Sequence, residues 1–144
     1  MTRYLGIDFG TRRIGVAVSD ELGITAQPLP SLEPSSEEEA LRDIRGFIEQ
    51  YGVLEVVVGL PKNMNGSIGP AAEAALAFAR HLEEGGTTKV TMWDERLTSR
   101  AAERLLIEAD MSRAKRKRRV DQVAAVLILQ GFLDRYHRQQ ERSS

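Results

Sequence analysis

A chain of 144 residues with 42% hydrophobic and 28% charged residues has the make-up of one soluble globular domain, large enough to bury a real core. It contains no cysteine, which excludes disulfides, thiolate-ligated zinc and thiol nucleophiles and fits a reducing, cytoplasmic setting. The formal net charge is −1, yet six of the seven residues Arg113 to Arg119 ("RAKRKRR") are basic, which leaves −7 on the other 137. Such a local cluster is enough to contribute phosphate contacts to a nucleic acid; the alternative is a solvated loop with no ligand. No apolar run is long enough to span a bilayer and the N-terminus lacks a signal-peptide pattern, so no membrane association is expected.

In chain order, "RYLGIDFG" and "RIGVAVSD" read as β-strands joined by a hairpin turn at Gly10-Thr11-Arg12. "ITAQPLPSLE" extends as a third strand, with Pro28 and Pro30 placing it at an edge or a strand end. In "PSSEEEALRDIRGFIEQYG", Ser36 and Glu39 form a capping box, Ala40, Ile44, Phe47 and Ile48 share one helical face, and Gly52 ends the helix. "VLEVVVGLP" is a strand covered on both faces and "KNMNGSIG" a loop. Pro70 opens the alanine-rich helix "PAAEAALAFARHLEEGG", which Gly85 and Gly86 close.

"KVTMWDER" is the fifth strand and "TSRAAERLLIEADM" a further helix. After the basic run, "VDQVAAVLILQGFLDRY" is apolar almost all round and predicts a buried helix. The polar "HRQQERSS" is expected to fray. Residues 1–137 therefore form a single domain, followed by a polar tail over 138–144. Three meandering strands and then βαβ crossovers predict an α/β, ribonuclease-H-like fold: a mixed five-stranded sheet flanked by helices on both faces. Flavodoxin-like folds are the competing pattern.

Three acids stand where elements terminate in apolar surroundings: Asp8 in the first strand, Glu95 (after Asp94) at the end of the fifth, and Asp121 at the head of the last helix. Gathered at one end of a sheet they would repel and raise one another's pKa. Divalent Mg²⁺ or Mn²⁺ relieves this, and two such ions clamp the attacking and leaving oxygens of a phosphoryl displacement. Each acid also has a structural alternative. Asp8 can accept backbone hydrogen bonds from Gly10 and Thr11, Glu95 can pair with Arg96 or Arg100, and Asp121 can cap its helix. His81 and His137 have no triad partners and read as structural or solvated; Trp93 reads as core-facing, with base stacking as its alternative.

With these residues in place, the chain resembles the YqgF family of ribonuclease-H-fold proteins. Its members are similar to RuvC-type Holliday-junction resolvases and are described as pre-16S rRNA nucleases. The likeness runs from "LGIDFGTRRIGVAVSD" through "VVVGLPKNMNGS" and "DERLTS" to "VDQVAAVLIL". It implies that Asp8, Glu95 and Asp121 are the catalytic, metal-binding carboxylates and that Gly59, Leu60 and Pro61 border the cleft, with Asn63 and Gly66 shaping the loop. Asn65 stands where many relatives have aspartate, and Gln122 replaces a usual small residue.

Lys115, Arg116, Lys117, Arg118 and Arg119, with Arg12 and Arg13, are the expected contacts to nucleic acid. The resemblance implies a hydrolase that cuts phosphodiester bonds with two divalent ions, acting in the cytoplasm on an rRNA precursor or other RNA as a monomer or homodimer. The alternative substrate is a Holliday junction or other branched DNA. Two remoter readings are a non-catalytic RNA-binding assembly factor and an ATP-binding module. "IDFGT" resembles a phosphate loop of the latter, but such proteins close a second domain over the nucleotide.

Overall fold

The computed structural model of the chain describes residues 3–10, 12–86, 88–95 and 113–143; over 113–122 and 140–143 only the backbone is described. The helix expected over "TSRAAERLLIEADM" lies outside the described residues. Strands β1 (Arg3–Phe9), β2 (Ile14–Ser19), β3 (Ala26–Leu32), β4 (Val53–Leu60) and β5 (Lys89–Asp94) form one sheet in the order β3-β2-β1-β4-β5. β1–β2 and β2–β3 are antiparallel; β1–β4 and β4–β5 are parallel. Helices α1 (Glu37–Tyr51) and α2 (Pro70–Glu84) cover one face and α3 (Arg113–Ser143) the other.

The alternation of β1 divides the core. Leu5 and Ile7 are fully buried on the α1/α2 face with Val56, Val58, Ile44 and Phe78, and the Phe9 ring stacks on Phe78 with centroids 4.6 Å apart. Tyr4, Gly6 and Asp8 therefore point to the α3 face. There Tyr4, Ala17 and Val57 meet Ala125, Ile128, Leu129 and Leu133. Gly6 permits this closeness: a Cβ there would lie 2.7 Å from Leu129 Cβ and 3.0 Å from the Ala125 carbonyl oxygen.

Local chemistry sets the helix ends. Ser36 caps α1 by accepting the Glu39 N–H at 3.1 Å. The Glu39 carboxylate turns to the Ser35 N–H and hydroxyl, one residue outside the expected reciprocal box. Gly52 ends α1 with φ 62°, in the left-handed region that glycine adopts without a Cβ penalty. Pro70 opens α2 as expected.

α3 departs from expectation at both ends. It is one helix of 31 residues that takes in the basic run and continues through the polar tail to Ser143. Lys, Arg, Gln and Glu are good helix formers, and extension costs little once the buried middle has nucleated the helix. Nor is its apolar stretch buried all round. Ala124, Ala125, Ile128, Leu129 and Leu133 make one buried stripe, while Val126, Leu127 and Phe132 are half-buried. Gln130 fastens the helix to the β2–β3 connection, accepting the Ala26 N–H and donating to the Ile24 carbonyl, both at 2.9 Å. His137 Nε2 donates to the Gly23 carbonyl at 2.8 Å, so this histidine is structural.

The crowding at Gly6 gives a direct expectation. Gly6→Ala forces α3 away from β1 and should cost about 1–3 kcal/mol, read as a lower denaturant midpoint at unchanged slope. Gly46, exposed on α1 with nothing within 4 Å of a Cβ, serves as the opposite control. Gly46→Ala should stabilise by about 0.5–1 kcal/mol.

Candidate active site

Because β1, β4 and β5 are parallel, their C-terminal ends share one edge of the sheet, the usual place for ligands in open α/β sheets. β1 brings Asp8 to this edge on the α3 face. β4 brings Gly59, paired with Trp93 in β5, and β5 ends at Asp94 with Glu95 following directly. Trp93 packs on α3, where a Cβ at Gly131 would meet its Cζ2 at 2.9 Å; this fits the core-facing reading.

Glu95 is seated on Gly59. A Cβ at position 59 would come within 2.8 Å of the Glu95 Cδ and 2.6 Å of Ile128 Cδ1, so only glycine leaves room for the carboxyl between strand and helix. There Glu95 hydrogen-bonds to Asp8. Burial, then the Asp8 hydrogen bond and charge, and finally the charge of Asp94 push the Glu95 carboxyl from an ordinary 4.5 up to about 9. With its carboxyl raised this far, Glu95 keeps its proton at neutral pH. Of the alternatives for Asp8 and Glu95, the arginine partners Arg96 and Arg100 lie outside the described residues. Gly10 gives its N–H to the Arg13 carbonyl at 3.0 Å.

Contacts along α3 fix its direction. Tyr4 meets Phe132 and Tyr136, with ring centroids 5.7 and 6.1 Å apart, whereas Gly6 meets Ala125 and Leu129. The helix thus runs antiparallel to β1. Two strand residues further on, roughly 7 Å, reach Asp8, and one turn back from Ala125, roughly 5–6 Å, reaches the helix backbone at Asp121. The Asp121 and Gln122 side chains lie outside the described residues. Among the described residues no group of three or more His, Cys, Asp or Glu is set to hold a metal ion. The facing carboxyls of Asp8 and Glu95 are nevertheless a hard-oxygen donor set suited to a divalent cation, which would take the place of the Glu95 proton.

The expected nucleic-acid contacts divide. Arg12 is exposed in the β1–β2 turn, while Arg13 Nε donates to Glu33 at 2.8 Å. Lys115 to Arg119 belong to the first turns of α3, with side chains outside the described residues. In the β4–α2 loop, Asn65 Oδ1 accepts from the Ser67 N–H at 3.0 Å and the Ser67 hydroxyl at 2.6 Å, so its side chain builds the turn. Sequence reasoning placed Gly59 at the cleft border but missed that it seats Glu95. A glycine ending an otherwise β-branched strand was the available signal.

The sheet order, the helix α3 packed across one face and the acids at the parallel edge define an α/β domain of the ribonuclease-H-like, RuvC type. Thermus thermophilus RuvC, solved in complex with a Holliday junction substrate, superposes with a TM-score of 0.61 at 15% identity over 95% of this chain and 97% of that one. The fowlpox virus resolvase, solved with Holliday junction DNA, gives 0.55 at 12% identity over 94% and 99%.

A family model described as "RuvX: Holliday junction resolvase" matches residues 2–135, and the chain belongs to this RuvX (YqgF) family. Curated relatives share the name "Putative pre-16S rRNA nuclease". One from Clostridium beijerinckii is 51% identical over 132 residues, covering 92% of this chain and 96% of its own. One from Bacillus cereus is 55% identical over 135 residues, covering 92% and 98%.

The Glu95 carboxyl makes stability depend on pH in a defined sense. Its folded value lies above its unfolded one, so its contribution is full below about 4.5 and is lost as the pH rises towards about 9. In chelator, the wild-type melting temperature should fall over this window relative to Glu95→Gln, and Mn²⁺ should restore it at the alkaline end. Parallel wild-type and Glu95→Gln profiles would show that the Glu95 carboxyl is not raised in the folded protein.

Proposed function

We propose that this chain is a divalent-metal-dependent nuclease that hydrolyses phosphodiester bonds in RNA and acts in the cytoplasm on the precursor of 16S rRNA. The observation that carries the reading is the half-buried Asp8–Glu95 carboxyl pair at the C-terminal edge of parallel strands. RuvX family membership and relatives named for pre-16S rRNA support it. Among the described residues no helix is long and apolar enough to cross a membrane.

In this reading Asp8, Glu95 and Asp121 hold one or two Mg²⁺ or Mn²⁺ ions. Bound there, the metal would supply a polarised water and charge stabilisation at the phosphate. The protein's own part is positional. Asp8 is held in a strand paired on both sides, and Glu95 is wedged over Gly59 by Ile128, so neither carboxylate can swing away. Arg12 and the basic turns of α3, from Lys115 to Arg119, set positive charge for the backbone phosphates. The positive end of the helix dipole adds to it. Water's oxygen bonds to phosphorus as one P–O ester bond breaks; a water proton leaves to solvent, and the departing sugar oxygen takes up a proton from solvent to become a hydroxyl.

A second reading, cleavage of branched DNA, is favoured by the family description and by the RuvC-like fold. It uses the same acids but calls for a dimer that sets two sites on symmetric strands.

Labelled rRNA precursor, single-stranded RNA and four-way DNA junctions, each incubated with protein and Mn²⁺ or Mg²⁺, separate these readings. Asp8→Asn should lower cleavage by about a hundredfold or more while leaving binding and melting temperature nearly unchanged. A variant that cuts as fast as wild type would remove Asp8 from the chemistry. Neutralising Lys115 to Arg119 together should weaken binding and reduce the slope of log affinity against log salt by several units. An unchanged slope would locate the phosphate contacts elsewhere.

A further inference from the structure

Trp93 stands two residues before Glu95, and both side chains lie on the α3 face of the sheet. Its backbone pairs with Gly59, the glycine on which the Glu95 carboxyl is seated. Its ring reaches α3 at Gly131. That glycine is three residues on from Ile128, and so beside it on the helix surface; Ile128 Cδ1 closes the other side of the Glu95 seat. A Cβ at Gly131 would lie 2.9 Å from Trp93 Cζ2 and 3.4 Å from Cε2, so the ring fills the gap between β5 and the helix backbone. Among the described residues the buried indole N–H has no hydrogen-bond acceptor. A buried donor left unpaired costs stability, so this position uses the length of the indole and not its polar group.

We infer that Trp93 is a positioning residue for the proposed metal site: wedged on Gly131, it sets the distance from β5 to α3. That distance fixes the width of the slot in which Gly59 and Ile128 hold the Glu95 carboxyl. The inference rests on the nuclease reading and deepens it. The ring stops the helix from approaching, and the helix backbone stops the ring from sinking. Interiors are close-packed, so a change in this spacing passes to the next contact along the helix, which is Ile128 on Gly59. The same helix carries Asp121, so the spacing also governs how near the third proposed ligand comes. Groups that orient metal ligands without touching the ion commonly account for about ten- to a hundredfold in affinity. Ordinary core packing has a different signature: lost stability, as for any buried residue of this layer, with no particular effect on metal binding.

The test titrates the metal-free full chain with Mn²⁺ by calorimetry and times cleavage of a substrate that wild type cuts. Trp93→Phe removes Cζ2 and Cη2, the outer edge of the ring, and opens the gap. Gly131→Ala raises helix propensity but drives a methyl group into the ring. Each alone should weaken Mn²⁺ binding about tenfold and slow cleavage. In the double variant the added methyl occupies the space of the missing ring atoms, and binding should return to within about twofold of wild type. Leu133→Val is the control. Leu133 is fully buried in the same layer, one turn beyond Leu129 and away from the acids, so this change should lower the melting temperature and leave Mn²⁺ affinity unchanged. Unchanged affinity in both single variants, a double variant no better than they are, or equal weakening by Leu133→Val would overturn the inference and leave the nuclease reading intact. A wild type that neither binds Mn²⁺ nor cleaves any substrate would overturn both.

Discussion

Two carboxyl groups placed against each other in a half-buried setting oppose each other's ionisation. Asp8 and Glu95 meet in this way, and the constraint organises the α3 side of the molecule. Burial and the neighbouring negative charges raise Glu95 to about 9, so in isolation the pair resolves its conflict with a proton. A buried charge conflict of this kind is costly to keep for stability alone. It is useful where a cation replaces the proton, and the metal we propose at these acids does so.

The fold supplies that pair through alternation and parallel pairing. With Leu5 and Ile7 committed to the α1/α2 core, Asp8 has to face α3. Parallel pairing of β1, β4 and β5 carries Glu95 to the same edge, though it is distant in sequence. Two glycines then fix the spacing: Gly6 lets α3 approach β1, and Gly59 gives the Glu95 carboxyl its seat. The helix packed over these strands also carries the basic run and Asp121, so the groups we propose for phosphate binding lie on the same helix as one of the three proposed metal ligands.

Much of this was legible in the amino-acid sequence, because local rules and tertiary demands agree. The period-2 runs became strands, Ser36 and Gly52 bound α1, and Pro70 opened α2. Asp8 and Glu95 stood out as acids in apolar settings and are brought together. Where local signals misled, an identifiable force outweighed them. The run Arg113 to Arg119 reads as a loop by charge, yet it has no glycine or proline and continues a helix anchored by Ala125 and Leu129. Within that helix Gly131 makes room for the Trp93 ring. The seat of Glu95 was not legible, since it depends on which strand lies beside β5.

On the metal reading proposed above, a cation bound between Asp8 and Glu95 displaces the Glu95 proton. Calorimetric titration of the metal-free protein with Mn²⁺ near neutral pH, repeated in buffers of different ionisation enthalpy, tests it most directly. Wild type should bind the ion and release about one proton on doing so. The variant carrying Asp8→Asn and Glu95→Gln together should lose both binding and release. Binding without proton release, or equal binding by that double variant, would contradict the account.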